Sequence, residues 1–196
     1  MSRQLSVRTK FAYGMGGIGE GLFSRGYEFF VYVYFVAVLG MSATLGATAM
    51  AVATLLDALS DPVVGSISDN WKSRFGRRHP FLYASAIPFA GTWFLLLSPP
   101  AGLSSLELAL WFGVFSILLR QALTLYNVPH LALGAELTSD YTERTSVFTW
   151  SIGLSFIGSF GVVGLLTVLL FPETPEYPKN GLLNPAGYPW LAFWGA

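Results

Sequence analysis

The sequence predicts an all-α, polytopic membrane protein, and three observations lead to this prediction. Hydrophobic residues make up 53% of the 196 residues and charged residues only 11%, whereas soluble domains carry about 25% charged residues. Apolar segments of about 20 residues, long enough to cross a bilayer, recur along the chain. Lysine and arginine gather between alternate segments. We therefore expect a lipid bilayer as the surroundings, and the net charge of zero gives no indication of a nucleic-acid partner.

The apolar segments predict five transmembrane helices and the start of a sixth, in one bundle formed by residues 1–196. The helices are expected at about residues 11–40, 44–70, 81–98, 105–133, 147–171 and 189–196. The proline-rich stretch at residues 172–189 is predicted to be an extramembrane loop. A helix that stops inside a bilayer leaves backbone groups unpaired. Because the sixth segment stops soon after it begins, we expect the chain to be truncated.

The positions of lysine and arginine predict the orientation, because these residues favour the cytoplasmic side of short loops. Eight of the eleven fall on one side of the predicted membrane: Arg3, Arg8, Lys10, Lys72, Arg74, Arg77, Arg78 and Arg144. Lys179 alone falls on the other side. We expect a multi-pass protein of the cell (inner) membrane with a cytoplasmic N-terminus.

Six charged residues lie within the predicted membrane helices: Glu20, Arg25, Glu28, Asp57, Asp61 and Arg120. Each such charge costs about 2.5–3.5 kcal/mol at the centre of a bilayer, so we expect these side chains to pair, to face the interior or to bind a ligand. At about 1.5 Å per residue, the charged positions of the first, second and fourth helices reach similar depths. They are expected to form one polar cluster.

Asp57 and Asp61 are the strongest candidates for a binding site, since residues four apart share one face of a helix. Two neighbouring carboxylates repel each other unless a cation or a proton lies between them. A hard cation such as Na⁺ prefers oxygen ligands, and the Thr124 hydroxyl offers a third one. The sequence leaves open whether the pair binds Na⁺, binds H⁺ or forms a structural ion pair. Arg25 and Glu28 are expected to pair along the first helix.

Arg120, Thr124 and Asn127 share one face of the fourth helix by the same spacing. Arg120 is either the counter-ion of Asp57 or a clamp for an anionic solute. Tyr27 is a candidate to stack on a sugar ring. Small residues in the first and fifth helices are interpreted as surfaces for close helix packing.

Five segments resemble the glycoside–pentoside–hexuronide:cation symporters, the melibiose-permease-like branch of the major facilitator superfamily. They are Tyr13–Gly14, Asp57–Gly65, Ser73–Pro80, Tyr126–Leu133 and Glu136–Thr145. The resemblance implies a fold of twelve helices in two six-helix halves, with the solute held between the halves. This chain would supply the N-terminal half, and its partner would be the missing C-terminal six-helix half.

The resemblance also implies roles for individual residues. Asp57, Asp61 and Thr124 match the positions of the family's cation site. Asp69 followed by Arg77 and Arg78 resembles the superfamily's cytoplasmic loop motif, which implies gating roles for these three residues.

The sequence departs from the family pattern at the positions that contact sugar. Gly21 stands at the position of the first-helix acid, with Glu20 beside it, and Asn127 replaces an aspartate. Leu131 replaces an aromatic residue, and Ile152 replaces an arginine. Arg120 is an additional charge. Galactoside specificity therefore does not carry over.

We predict a secondary active transporter rather than an enzyme, with symport of a sugar, glycoside or uronide coupled to Na⁺ or H⁺ and without a cofactor. Glu20, Arg120, Asn127 and Tyr27 are the candidate solute contacts. Two alternatives remain. One is a lysolipid carrier of the same superfamily. The other is a prenyl- or phosphotransferase that holds Mg²⁺ on Asp57 and Asp61, although Asp140, the one later aspartate, offers no second acidic cluster.

Overall fold

The computed structural model describes residues 4–178 and 180–196, and its regular structure in these residues is helical apart from one isolated β-bridge between Thr174 and Tyr177. The helices are α1 (Val7–Gly26), α2 (Ala43–Asn70), α3 (His79–Leu96), α4 (Ser105–Glu136), α5 (Tyr141–Phe156), α6 (Val163–Leu170) and α7 (Tyr188–Gly195). Arg3 and Lys179, which contributed to the predicted orientation, lie outside the described residues. The all-α fold class is therefore confirmed.

Two of the long helices contain π-helical turns. α1 continues through the π turns Tyr27–Val31 and Tyr34–Val38. A third π turn, Ile157–Val162, joins α5 to α6 without a break. These turns give the first and fifth predicted segments the length of a membrane span while changing the register of their side chains.

Local capping explains where two helices begin. Ser104 and Glu107 form a capping box at the start of α4, in which each side chain accepts a hydrogen bond from the backbone of the other residue. The Asp140 carboxylate accepts a hydrogen bond from the backbone N–H of Glu143 at 3.0 Å. This cap starts the fifth helix at Tyr141, whereas the apolar pattern predicted a start near residue 147.

Three helical segments of the described chain are long and apolar enough to cross a membrane: Ala43–Asn70, Ser105–Glu136 and Tyr141–Leu170. The first helix carries the charges of Glu20, Arg25 and Glu28, and α3 has only 18 residues. The structure therefore shows a multi-pass membrane protein, and the count of five spanning helices plus a sixth stays a prediction.

The bundle is assembled from two main helix layers. α1 packs chiefly against α5 and the π turn that follows it, while α4 packs against both α2 and α3. Aromatic residues fill the core at the end of the bundle where α1 finishes and α4 begins, among them Phe30, Phe35, Phe112 and Tyr188, each fully buried. This core fixes the helices beside which the polar residues lie.

Glycine allows α1 and α5 to approach closely, as predicted. A Cβ atom added at Gly17 would overlap the carbonyl oxygen of Ser151, and one added at Gly21 would overlap that of Ser155. Gly158 meets the backbone of α1 in the same way. Gly153 and Gly164 of the same segment take no part in this contact, because a Cβ atom there would meet nothing within 4 Å in the described chain.

Candidate functional site

A polar cavity of about 420 Å³ lies between α1, α2, α4 and α5. Its lining includes five of the residues that the sequence singled out: Glu20, Asp57, Asp61, Thr124 and Asn127. They meet because α2 packs along α4, and α1, which packs along α5, also contacts α4. The structure thus places acids from two helices and the polar face of a third around one space.

Asp57 is held by two side chains of α4. The Thr124 hydroxyl donates a hydrogen bond to Oδ1 of Asp57 at 2.7 Å, and Nη1 of Arg120 lies 3.4 Å from Oδ2. The second contact is long for a hydrogen bond but within the range of an ion pair. Both charged side chains are about three-quarters buried. Arg120 therefore has the geometry of a counter-ion to Asp57, one of the two roles left open by the sequence.

Asp61 differs from Asp57 although both are on one face of α2. Among the described residues it makes no hydrogen bond or ion pair, and it is exposed at the edge of the cavity. The cavity therefore contains one carboxylate with partners and one without. The unpartnered carboxylate is available to a ligand that enters from the cavity.

Tyr27 requires a correction to the predicted solute contacts. Its side chain is only 2% exposed, and its hydroxyl is 2.6 Å from the Ser116 hydroxyl. The centre of the Arg120 guanidinium lies 5.7 Å from the centroid of the Tyr27 ring. Because the ring is buried in the aromatic core, Tyr27 supports Arg120 and presents no face to a solute in this structure.

Tyr13 and His130 are two cavity residues that the sequence analysis did not assign to the site. Their rings stack with centroids 4.4 Å apart, and the Tyr13 hydroxyl donates a hydrogen bond to the carbonyl oxygen of His130 at 3.2 Å. Nε2 of His130 lies 3.2 Å from the carbonyl oxygen of Tyr13. Both residues belong to the segments that carry the family resemblance, and that was the signal available in the sequence.

The two positions that depart most from the family pattern also line the cavity. Leu131 and Ile152 are apolar and exposed, at 63% and 60% respectively. They offer neither an aromatic face nor a positive charge at this wall. The cavity therefore combines an acidic side with an apolar side.

A second cavity of about 350 Å³ lies on the other side of Glu20, between α1, α3 and α4. Its walls are mostly apolar, with Leu82, Phe89 and Leu123 among the lining residues, while Ser85 and Tyr126 add hydroxyl groups. Glu20 lines both cavities. Its carboxylate thus belongs to the wall that separates them.

A cluster of ion pairs ties together the ends of α2, α3 and α4. Arg78, only 8% exposed, contacts Asp69 at 2.7 Å and Glu136 at 3.1 Å. Arg77 contacts the same Glu136 carboxylate at 3.2 Å. The three predicted gating residues therefore meet through Arg78, and Glu136, a residue of the Glu136–Thr145 motif, is the shared partner of Arg77 and Arg78 on α4.

Arg25 and Glu28 form the expected pair, with Nη1 and Oε2 at 2.9 Å. Both side chains are more than half exposed. The pair borders a groove between α1 and α6 and does not line the polar cavity. It is a local contact along the first helix and is separate from the candidate site.

The ligand set predicted for a metal is incomplete in this arrangement. Within residues 4–178 and 180–196, no three His, Cys, Asp or Glu side chains are grouped so that they could hold a metal ion. Asp57 and Asp61 supply two carboxylates, and Thr124 adds a hydroxyl. A cation at this place would need further oxygen atoms from solvent, solute or backbone.

The fold and the cavity define a helical membrane protein with ionisable groups inside its bundle, and comparison with known proteins identifies its class. The sequence profile of the family described as MFS/sugar transport protein matches residues 12–196. The chain therefore belongs to this family of the major facilitator superfamily, and the family suggested by the sequence motifs is confirmed.

Individual relatives are named as symporters. The chain is 32% identical to the inner membrane symporter YicJ of Escherichia coli strain K12, over 87% of this chain and 36% of that protein. It is 31% identical to YagG of the same strain, provisionally named a glycoside/cation symporter, over 85% of this chain and 36% of that protein. It is 28% identical to the sodium-dependent lysophosphatidylcholine symporter 1 of Mus musculus, over 80% of this chain and 30% of that protein.

These relatives are much longer than the chain described here. The chain spans about a third of the length of the curated relatives that it matches. Their names describe transporters, which agrees with the expectation that the chain is not an enzyme.

Proposed function

We propose that the chain forms the N-terminal half of a cation-coupled symporter that moves a sugar, glycoside or uronide across the cell membrane by alternating access. The observation that carries this proposal is the cavity in which α2 places one partnered and one unpartnered carboxylate beside the polar face of α4. Ionisable groups inside a membrane bundle are expensive, and they mark the paths of ions and solutes. The family membership supports the same conclusion.

Each residue receives a role in this proposal. Asp57, Asp61 and Thr124 form the cation site, with no cofactor. Glu20 and Asn127 contact the solute from α1 and α4. Ion binding between the two aspartates reduces their repulsion, so it stabilises the arrangement of α2 and α4 that the solute needs.

The architecture of the whole transporter follows the resemblance. Five helices cross the bilayer and α7 begins the sixth, the N-terminus is cytoplasmic, and a second six-helix half closes the cavity. Asp69, Arg77 and Arg78 control the cytoplasmic side, because Arg78 at the start of α3 joins Asp69 of α2 to Glu136 of α4, and Arg77 pairs with the same Glu136. Release of these ion pairs frees the three helix ends to move during alternating access.

A lysolipid is the second candidate solute. The apolar cavity beside Glu20 and the similarity to a lysophosphatidylcholine symporter favour it. Radiolabelled uptake of a panel of neutral glycosides, uronides and lysophosphatidylcholine by vesicles that contain the full-length gene product would separate the two classes. Uptake of a glycoside that lysophosphatidylcholine does not inhibit supports the sugar proposal. Uptake of lysophosphatidylcholine that glycosides do not inhibit contradicts it.

The decisive test of cation coupling is Asp61→Asn. The variant keeps the size of the side chain but removes the charge that has no partner within the described chain. We expect accumulation against a gradient to be lost, while exchange of labelled for unlabelled solute at equal concentrations continues. Glu176→Gln, in the exposed loop before α7, is the matched control and should accumulate solute normally. Undiminished accumulation by Asp61→Asn would contradict the assignment.

A further inference from the structure

We propose that Arg120 keeps sodium out of the cation site, because its guanidinium group takes the place beside Asp57 that a bound sodium ion needs. This inference rests on the proposed function, since the cation site is itself part of that proposal. It makes Arg120 the residue that determines which cation the transporter accepts.

Both carboxylate oxygen atoms of Asp57 already have a partner on α4. Oδ1 accepts the hydrogen bond from Thr124 at 2.7 Å, and Oδ2 faces Nη1 of Arg120 at 3.4 Å. Thr124 is only 4% exposed. Asp57 and Thr124, two of the three predicted ligands, are thus bonded to each other, and the positive charge beside Asp57 is that of Arg120.

Arg120 is held beside Asp57 by Tyr27. The central carbon of its guanidinium group lies over the Tyr27 ring, 5.7 Å from the ring centroid, at a distance where an aromatic face attracts a cation. The Tyr27 hydroxyl is fixed in turn by Ser116 at 2.6 Å. A guanidinium group cannot lose its proton in a protein, so the positive charge at Asp57 is permanent.

The charge of Arg120 also repels a sodium ion at Asp57. A sodium ion in contact with Asp57 would lie within a few ångströms of the guanidinium group. Two like unit charges about 4 Å apart near a protein surface repel enough to weaken binding by roughly a thousandfold. A proton needs no shell of ligands and is able to bind to Asp61, away from the guanidinium group. Of the two coupling ions that the sequence left open, sodium is therefore the one that this arrangement excludes.

The test is the thermal unfolding midpoint of the purified full-length gene product in sodium chloride and in potassium chloride at equal ionic strength. A ligand that binds only the native state raises the midpoint. We expect the same midpoint in both salts for the wild type. In Arg120→Met, sodium chloride should raise the unfolding midpoint and potassium chloride should not. The sodium concentration that gives half of this rise should be roughly tenfold or more below any concentration that affects the wild type.

Three further variants make the test specific. Arg120→Gln keeps a polar but uncharged group on a shorter side chain and serves if Arg120→Met does not fold. Addition of Asp61→Asn to either variant should remove the gained sodium effect. Arg25→Met is the matched control, because it also removes an arginine of the membrane region, but one that pairs with Glu28 and not with Asp57. It should show no sodium effect.

A sodium-specific increase of the midpoint in the wild type would overturn the inference, and so would its absence in both folded Arg120 variants. Neither result would affect the symport proposal, which is tested by the uptake of solute and by Asp61→Asn. Conversely, loss of all solute uptake would contradict symport without changing the sodium result. The two failures are therefore distinguishable.

Discussion

Thr124 links the partnered carboxylate of the cavity to α4. Its hydroxyl is buried and donates to Asp57, and a hydrogen bond to a charged group contributes about 1.5–3 kcal/mol. Removal of the donor also leaves Oδ1 without that partner in a partly buried place. A single hydroxyl therefore fixes the side chain on which both proposals about the cation depend.

We predict that Thr124→Ala lowers the free energy of unfolding by about 1.5–3 kcal/mol, which appears as a lower thermal midpoint of the purified protein. Thr124→Ser retains the donor and should remain close to the wild type. Thr149→Ala is the control, because Thr149 is exposed and donates only to the carbonyl oxygen of Thr145 in its own helix. Equal losses in the Ala and Ser variants would contradict this role of the hydroxyl.

At the residue scale, charge was the most informative signal in the sequence. A charged residue inside an apolar segment is costly, so its presence indicates a partner or a function. The spacing of Asp57 and Asp61 is sufficient to place them on one face of a helix. The burial of Tyr27 and the stacking of Tyr13 on His130 were not predictable, because each depends on which helix passes beside it. An aromatic residue has the same appearance in a sequence whether it lines a cavity or fills a core.

At the scale of elements, the contact between α1 and α5 is set by glycine. The backbones approach so closely at Gly21 that a methyl group would overlap the carbonyl oxygen of Ser155. Neither backbone is able to move without disturbing the rest of its helix. The fit is therefore a property of the helix pair rather than of one residue.

We predict that Gly21→Ala lowers the free energy of unfolding by about 1–3 kcal/mol, the usual cost of excess volume in a packed interior. Gly153→Ala is the matched control on α5, since nothing lies within 4 Å of the added methyl group. It should be neutral or stabilising by up to about 1 kcal/mol, because alanine favours helix more than glycine does. The midpoints of thermal unfolding measure both effects. A stable Gly21→Ala variant would show that α1 and α5 pack less closely than described.

Helix positions were largely predictable, and helix detail was not. Apolar length and proline placed the segments near their observed bounds, because those features decide where a chain is able to cross a bilayer. The three π turns could not be predicted, since one additional residue in a turn changes neither the composition nor the length of a segment noticeably. The start of the fifth helix was missed because the capping side chain of Asp140 acts outside the apolar pattern.

For the whole molecule, the charge distribution predicts a cytoplasmic N-terminus, and the absence of cysteine from the sequence makes this testable with single cysteine substitutions. Lys72 and Ala101 are both exposed and lie beyond opposite ends of α3. In right-side-out vesicles, a membrane-impermeant maleimide should label Ala101→Cys directly. It should label Lys72→Cys only after the vesicles are permeabilised. The parent protein without either substitution is the control, and the reverse labelling pattern would contradict the orientation.

The family could be assigned from the sequence, whereas the solute could not. Five segments with the right order and spacing carry the family resemblance, and the sequence profile of the family agrees. In the proposed architecture, solute specificity depends on walls that include Leu131 and Ile152, where the chain departs from the family pattern, and on a second half that faces them. The geometry of one half therefore defines the class of transporter better than its cargo.

The π turns of α1 and α5 have a mechanical consequence. Each turn stores one residue more than a regular α-helical turn. Conversion of such a turn to α-helical geometry would rotate the helix beyond it by about 100° and displace it by about 1.5 Å. The π turn Ile157–Val162 packs directly against α1, which carries two of its own. Such a conversion in either helix would therefore change the register in which α1 and α5 meet.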